Sequence, residues 1–99
     1  MSGIRFSEGV RDDLKRLKTY DQRIVVDGIA RQLKHEPKKQ TKNQKLLHNL
    51  IPPFEAVPPI WELRVGRFRV FYDLDEGQKI VYVRAVREKR LHRRTEEIL

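Results

Sequence analysis

The chain has no cysteine, and this absence excludes disulfide bonds and thiolate metal sites. Long apolar runs are also missing, and no segment approaches the ~20 apolar residues that are needed to cross a bilayer. The N-terminal residues lack the apolar stretch of a signal peptide. We therefore expect a cytoplasmic protein that has no membrane partner.

Motifs of the common enzyme classes are absent as well. The sequence contains no P-loop, no glycine-rich dinucleotide turn, no GxSxG elbow and no HExxH zinc motif. Asp73, Asp75 and Glu76 cluster in a predicted turn, where acidic side chains are ordinary turn formers. The histidines show no metal-ligand spacing. We expect no metal site and no cofactor.

Positive charge is what the chain has in excess. Lysine and arginine number 22 against 14 aspartates and glutamates, which gives a net charge of +8 and a pI near 10.1. This balance favours a polyanionic partner such as nucleic acid, but it does not identify the polymer. A chain of 99 residues is long enough for one core, so we expect a single domain over residues 1–99.

The apolar pattern predicts an α+β fold with the order β-α-α-β-β-β. A short strand over residues 4–6 precedes a helix over about 7–18, with Ser7 as its N-cap. A second helix is predicted over about 21–35, with Asp21 as its N-cap. The two helices should form an antiparallel hairpin that packs on a mostly antiparallel sheet. A short C-terminal tail or helix follows the last strand.

The last three predicted strands align arginines on one face. A tight turn at residues 66–67 closes a hairpin and sets Arg64 directly opposite Arg69. A second loop over residues 75–78 sets Arg69 against Arg84. Directly opposed like charges destabilise a sheet. The row therefore indicates either a face that binds an anion or a solvated outer face.

Two aromatic side chains are predicted beside this arginine row. Phe71 and Tyr82 alternate onto the same face as the arginines. Exposed aromatic rings stack on unpaired RNA bases. We therefore take Phe71, Tyr82 and Arg84 as candidate RNA-binding residues.

Two further basic segments are candidate RNA contacts. Residues 36–59 are polar and rich in proline, which predicts a long loop that carries Lys42 and Lys45. For these lysines, phosphate contact and simple solvation are equally compatible with the sequence. The basic run after the third strand comprises Arg87, Lys89, Arg90, Arg93 and Arg94. His92 in this run is either a proton-transfer group, kept neutral by the flanking arginines, or a bystander.

Arginines and lysines without acidic metal ligands suit one reaction class, the cleavage of RNA by its own 2′-hydroxyl group. Fixed cations stabilise the charge that builds on the phosphorane. The planar guanidinium group binds two phosphate oxygens at once. The same basic surface is equally suited to an acidic protein.

The order of the elements, together with the segment WELRVGRFRVFYDLDE…KIVYVRAV, resembles the RelE/ParE superfamily of toxins from toxin–antitoxin modules. The residues that carry the resemblance are Arg64 before the hairpin glycine, the strand Phe68 to Tyr72, and the basic Lys89 and Arg90. The resemblance implies a cognate antitoxin as a partner, in a hetero-oligomer. For RelE-like members it also implies ribosome-dependent cleavage of mRNA.

The same resemblance implies roles for individual residues. Arg69 corresponds to a residue that binds the scissile phosphate. Arg64 corresponds to a basic residue that helps to activate the 2′-hydroxyl group or stabilises charge. Lys89 or Arg90 matches a basic residue in the C-terminal part of the family's site. We therefore take these four residues, with His92, as candidate catalytic residues.

Two positions depart from the family pattern. A family lysine falls on Glu62, and a tyrosine that many members carry falls near Thr95. The general acid or base is therefore open, and His92 is the substitute candidate. These departures leave two alternatives, which are a ParE-like toxin that inhibits DNA gyrase without cutting RNA and an attenuated interaction module.

Overall fold

The computed structural model describes residues 3–90 and 93–99. Its elements in chain order are β1 (Gly3–Phe6), α1 (Glu8–Lys15), α2 (Thr19–Leu33), β2 (Gln44–Leu47), β3 (Ile60–Val65), β4 (Phe68–Asp75), β5 (Ile80–Glu88) and α3 (Thr95–Ile98). In this part of the chain, a five-stranded sheet has the order β1-β5-β4-β3-β2. β1 is parallel to β5, and the other neighbours are antiparallel. The predicted α+β class is confirmed.

One strand lies inside the segment that the sequence predicts to be a loop. β2 pairs antiparallel with β3 at the edge of the sheet, so the prediction for residues 36–59 is wrong at this point. The first residue of the strand, Gln44, is held by its side chain. Its Nε2 donates to the Glu36 carbonyl at 2.8 Å and to the Tyr72 hydroxyl at 3.3 Å. These side-chain bonds help to fix the start of the strand, and no local period reveals them.

The two helices begin in different ways. Ser7 caps α1 as predicted, because its Oγ accepts from the Val10 N–H at 3.2 Å. α2 begins at Thr19, so the prediction that Asp21 caps it is wrong. Asp21 accepts instead from the Arg67 Nη2 at 2.7 Å. The Asp21 carboxylate therefore binds Arg67 of the β3–β4 turn and does not cap the helix.

α1 ends at Lys15, earlier than predicted, and one side chain of α2 explains how its end is stabilised. Gln22 Nε2 donates to the Leu14 carbonyl at 2.8 Å and to the Leu17 carbonyl at 3.1 Å. Carbonyls at a helix C-terminus have no partner within the helix. The glutamine therefore satisfies them and ties the helical hairpin together. None of the described helices is long and apolar enough to cross a membrane.

The helices cover one face of the sheet, which we call the helix face. Its buried residues are Val10, Val25, Ile29, Leu33, Trp61, Leu63, Phe68, Val70, Tyr72, Val81, Val83 and Val86. Gly28 of α2 packs against Val65 of β3, where an added Cβ would lie 2.8 Å from the Val65 Cγ1. This contact explains a glycine in the middle of a helix.

The opposite face of the sheet, the outer face, is also largely covered. Its apolar cluster consists of Ile60, Phe71 and Ala85, with Leu47, Leu50, Phe54, Ala56, Ile98 and Leu99 packed against it. The connection between β2 and β3 supplies part of this layer, and the C-terminal segment supplies the rest. The prediction that Phe71 is exposed for base stacking is therefore wrong, because its exposed fraction is 0%.

Candidate anion-binding site

The β3–β4 hairpin places two arginines side by side on the outer face. Arg64 pairs directly with Arg69 in the antiparallel register, as predicted. Gly66 makes the turn possible because its φ of 57° lies in the left-handed region. The register confirms that like charges oppose each other on adjacent strands.

The third arginine of the row is Arg87, so the prediction that Arg84 opposes Arg69 is wrong. β4 pairs with β5 in a register that sets Arg69 against Arg87. An irregularity between Phe71 and Tyr72 shifts this register and leaves Arg84 without a direct partner on β4. The second loop covers residues 76–79 and not 75–78, which shifts the register by two residues, and the β-bulge adds a third. The row is therefore Arg64–Arg69–Arg87.

Arg84 has a structural contact in place of the predicted one. It donates to both carboxylate oxygens of Asp73, at 2.7 Å and 3.2 Å. The Asp73 Oδ2 also accepts from the Val57 N–H at 3.0 Å, which holds the connection before β3 on the sheet. The Arg84 guanidinium lies over the half-buried Tyr82 ring, 4.9 Å from its centroid. Arg84 is thus committed to a buried ion pair.

Arg69 is the most unusual side chain on the outer face. It is 7% exposed, and its Nη1 donates to the carbonyls of Gly66 at 3.0 Å and Phe68 at 2.9 Å. Burial lowers the pKa of the Arg69 guanidinium, the neighbouring Arg64 lowers it further, and Glu62 opposes both effects. A buried cation normally has a paired anion.

Neither Arg64 nor Arg69 forms an ion pair with any carboxylate of residues 3–90 and 93–99. Arg64 is exposed, so an anion has access to it from solvent. Two adjacent guanidinium groups can together supply a bidentate set of donors to one phosphate. The pair therefore has the charge and the chemistry of an anion site.

Arg87 contributes less free charge to the row. Its Nη1 donates to the Asp13 Oδ2 at 2.7 Å, and the same oxygen accepts from the Val86 N–H at 3.0 Å. The Asp13 carboxylate of α1 therefore forms an ion pair with Arg87 and also accepts a backbone N–H of β5. Sequence reasoning missed this aspartate because only the fold brings α1 to the end of β5.

Glu62 lies on the outer face among these cations. It is 4% exposed, its Oε2 accepts from the Thr95 Oγ1 at 2.8 Å, and its Oε1 lies 3.5 Å from the Lys45 Nζ. The two positions that depart from the family pattern are therefore hydrogen-bonded to each other. The sequence shows both departures, at Glu62 and Thr95, but no local pattern in it predicts that the two side chains are in contact.

The remaining candidates lie around this centre with their charges largely in solvent. Lys42, Arg90 and Arg94 are exposed, and Lys89 is half-buried. The Arg93 Nη1 donates to the Glu97 Oε2 at 3.1 Å, a contact that lowers the pKa of Glu97. His92 lies outside the described residues, so its role stays a prediction. No group of three potential metal ligands occurs in the described part of the chain.

Solved structures share this fold. The toxin–antitoxin complex RelBE2 from Mycobacterium tuberculosis is 24% identical, with 90% of this chain and 98% of that chain covered and a TM-score of 0.68. The RelE–RelB complex from Pyrococcus horikoshii OT3 is 17% identical, with 93% and 98% covered and a TM-score of 0.68. The RelBE complex from E. coli is 16% identical, with 91% and 98% covered and a TM-score of 0.63. At these identities the similarity establishes the fold alone.

The sequence itself matches a family model. The matching family is the ParE toxin of the type II toxin–antitoxin system parDE, and the match covers residues 4–92. No curated protein sequence matches the chain at a significant level. The matched range includes the whole helical hairpin and all the described strands after it. The predicted membership of the RelE/ParE superfamily is confirmed, and the chain belongs to the ParE toxin family of type II toxin–antitoxin systems.

Proposed function

We propose that this toxin is a ribosome-dependent mRNA endonuclease that needs no metal ion. The observation that carries the proposal is the Arg64–Arg69 pair, which has two adjacent positive charges and no acidic partner among the described residues. Keeping like charges together is unfavourable. An anionic substrate that binds between them removes this cost.

The proposed reaction is a transfer within the RNA. The 2′-oxygen attacks the adjacent phosphorus, a 2′,3′-cyclic phosphate forms, and the bond from phosphorus to the 5′-oxygen breaks. One proton leaves the 2′-hydroxyl group and one proton reaches the departing 5′-oxygen. Arg69 and Arg64 stabilise the dianionic phosphorane. His92 is the proposed proton-transfer group, and water or the ribosome is the alternative.

The surrounding basic residues are proposed to hold ribosomal RNA and mRNA. This set comprises Lys42, Lys45, Lys89, Arg90, Arg93 and Arg94. Their contacts are with the phosphate backbone, so their contribution should weaken as salt rises. Arg84 and Arg87 support the site from within, because both are bound to aspartates.

A cognate antitoxin is the proposed protein partner, in a cytoplasmic toxin–antitoxin hetero-oligomer. The solved neighbours are complexes of a toxin with its antitoxin. The net charge of +8 favours an acidic partner segment. Binding should therefore weaken as salt screens the surface charges.

The experiment is cell-free translation with the purified toxin, followed by primer extension on the mRNA. Cuts within ribosome-bound codons, with no cleavage of the same mRNA in the absence of ribosomes, are the expected result. Intact mRNA on ribosomes at saturating toxin would refute the proposal.

Inhibition of DNA gyrase is the second candidate function. It is favoured by the match to a ParE family model and by Glu62, which replaces a lysine of the RelE-like pattern with a buried carboxylate. Purified gyrase and relaxed plasmid DNA distinguish the two functions. Stalled supercoiling together with intact ribosome-bound mRNA would support gyrase as the target and exclude the endonuclease.

A further inference from the structure

A lysine of the edge strand lies on the same face as the arginine pair. Lys45 of β2 pairs directly with Glu62 of β3, and Arg64 is two residues further along that strand. Side chains alternate between the two faces of a sheet, so Glu62 and Arg64 share a face. Leu47, two residues after Lys45, packs in the apolar cluster of the outer face. Lys45 is therefore on the outer face as well.

The strand pairing brings this lysine within reach of Arg64. The Arg64 N–H donates to the Asn43 carbonyl at 2.7 Å, so β2 and β3 lie side by side at this point. Residues in diagonal positions on paired strands are about 7–8 Å apart, which long side chains can bridge. Lys45 and Arg64 occupy such diagonal positions, and Arg69 lies directly opposite Arg64. The three cations therefore surround one area of the outer face.

A buried carboxylate orients Lys45 towards this area. The Glu62 Oε1 lies 3.5 Å from the Lys45 Nζ, while the Glu62 Oε2 accepts from the Thr95 Oγ1 at 2.8 Å. Glu62 and Thr95 are both buried, so the carboxylate that attracts the lysine has a fixed position. Burial and Arg64 lower the pKa of Arg69, and Glu62 opposes both effects. The charge of Glu62 thus acts on the arginine pair and on Lys45 together.

The ammonium group of Lys45 keeps donors for a further ligand. At 3.5 Å, its contact with Glu62 is longer than an N–H···O hydrogen bond, which spans about 2.7–3.2 Å. A lysine ammonium carries three N–H donors, and the Lys45 side chain is 57% exposed. A ligand from solvent can therefore reach this group while Glu62 holds it in place.

We propose that Lys45 is the third ligand of the phosphate site and that Glu62 is its positioning residue. This role rests on the proposed function, because the lysine adds a donor to the same anion site. Lysine binds phosphate as a point charge, beside guanidinium groups that bind it through paired donors. Its charge then acts where the phosphorane forms.

Inorganic phosphate tests the site without RNA or ribosomes. An NMR titration of the full chain gives its dissociation constant. Lys45→Met should bind phosphate about tenfold more weakly than the wild type, as expected for the loss of one hydrogen bond to a charged group. Lys45→Arg keeps the charge and should bind nearly as tightly as the wild type. Lys34, exposed at the end of α2, gives the matched control. Equal dissociation constants for Lys45→Met and Lys34→Met would overturn the assignment.

Chemical protection distinguishes direct contact from a general effect of charge. Trace acetylation followed by peptide mass spectrometry gives the modification rate of each lysine. At constant ionic strength, saturating phosphate should slow the modification of Lys45 and leave the rate at Lys34 unchanged. Equal rates at Lys45 with and without phosphate would mean that the lysine only neutralises Glu62, and its role as a ligand would fail.

A double-mutant cycle measures the role of Glu62. Glu62→Gln keeps an oxygen acceptor for Thr95 and removes the charge that attracts Lys45. In this background the ammonium group is no longer held at the site, so Lys45→Met should weaken phosphate binding by much less than about tenfold. The same tenfold loss in both backgrounds would show that Glu62 does not position the lysine.

Cleavage of ribosome-bound mRNA separates this role from the proposed function. In single turnover, Lys45→Met should cut about tenfold more slowly than the wild type, and Lys34→Met at the wild-type rate. If Lys45→Met loses phosphate affinity but the wild type cuts no mRNA, the phosphate ligand stands and the endonuclease proposal fails. If the wild type cuts mRNA and Lys45→Met matches it in cleavage and in phosphate affinity, the ligand fails and the endonuclease stands.

Discussion

The helix face and the outer face of the sheet are both covered, but different interactions hold them. The helix face is filled by aliphatic and aromatic side chains whose spacing follows the periods of helices and strands. The outer face has a small apolar cluster, and charged pairs such as Asp73–Arg84 hold its covering segments. A face held by specific polar pairs can accommodate two arginines that form no salt bridge with the described residues, whereas a continuous apolar layer would exclude charged side chains.

We expect the largest loss of stability from breaking the Asp73–Arg84 ion pair of the outer face. Asp73→Ala removes the partner of Arg84 and the acceptor for the Val57 N–H. A buried charge left without its partner costs about 3–5 kcal/mol, so the free energy of unfolding in urea should fall by that amount.

Glu55 supplies the control for this variant. It is an exposed acid of the same connection, and Glu55→Ala should change the free energy of unfolding by less than about 0.5 kcal/mol. If Asp73→Ala proves as mild as Glu55→Ala, the outer face is held by its apolar cluster and not by the ion pair.

The helix face should respond to packing alone. Gly28→Ala places a methyl group 2.8 Å from the Val65 Cγ1, so we expect a loss of about 1–3 kcal/mol despite the better helix propensity of alanine. Adding Val65→Ala makes room for the methyl group. A urea-denaturation double-mutant cycle should therefore give a loss smaller than the sum of the single variants. Additive losses would place the strain elsewhere.

A smaller change in the free energy of unfolding is expected at high pH. It comes from the hydroxyl group of Tyr72, which joins β4 to the loop that follows α2. Tyr72 donates to the Pro37 carbonyl at 2.7 Å, and burial raises the pKa of its hydroxyl. An unfolded tyrosine ionises near pH 10, so the unfolded chain loses a proton that the folded chain keeps. The stabilisation is complete below about pH 10 and is lost as pH rises further, by at most about 1.4 kcal/mol per pH unit.

Tyr72→Phe should remove this share of the alkaline loss of stability. Tyr20 is 74% exposed, so Tyr20→Phe is the matched control for the loss of one tyrosine hydroxyl. Equal slopes in wild type and Tyr72→Phe above pH 10 would mean that the tyrosine ionises freely in the folded protein.

The main elements and the β3–β4 hairpin were largely predictable from the sequence. Period and turn chemistry gave the hairpin register that pairs Arg64 with Arg69, the Ser7 cap and the order of the main elements. The prediction failed for β2, because the strand is held by its pairing with β3 and by the side-chain bond from Gln44 to Tyr72, both of which link residues distant in the sequence. Local patterns report on burial and turns and not on such long-range side-chain bonds.

The outer face was harder to predict for a physical reason. The second loop lies one residue later than predicted, which moves the register by two residues, and the bulge on β5 adds one more, so Arg87 replaces Arg84 in the row. Phe71 was predicted to be exposed because the segments that cover it, the loop before β3 and α3, have no period that shows where they pack. The contact between Glu62 and Thr95 joins two positions that only the folded chain brings together.

The most direct test of the proposed site compares two arginines that differ in position and not in charge. Arg69→Met removes one charge from the arginine pair, and Arg5→Met removes one exposed charge from β1. Single-turnover cleavage of ribosome-bound mRNA should fall by about 10²- to 10³-fold in Arg69→Met and stay at the wild-type rate in Arg5→Met, with both variants folded by circular dichroism. A folded Arg69→Met variant that cleaves at the wild-type rate would contradict the assignment of the arginine pair as the phosphate site.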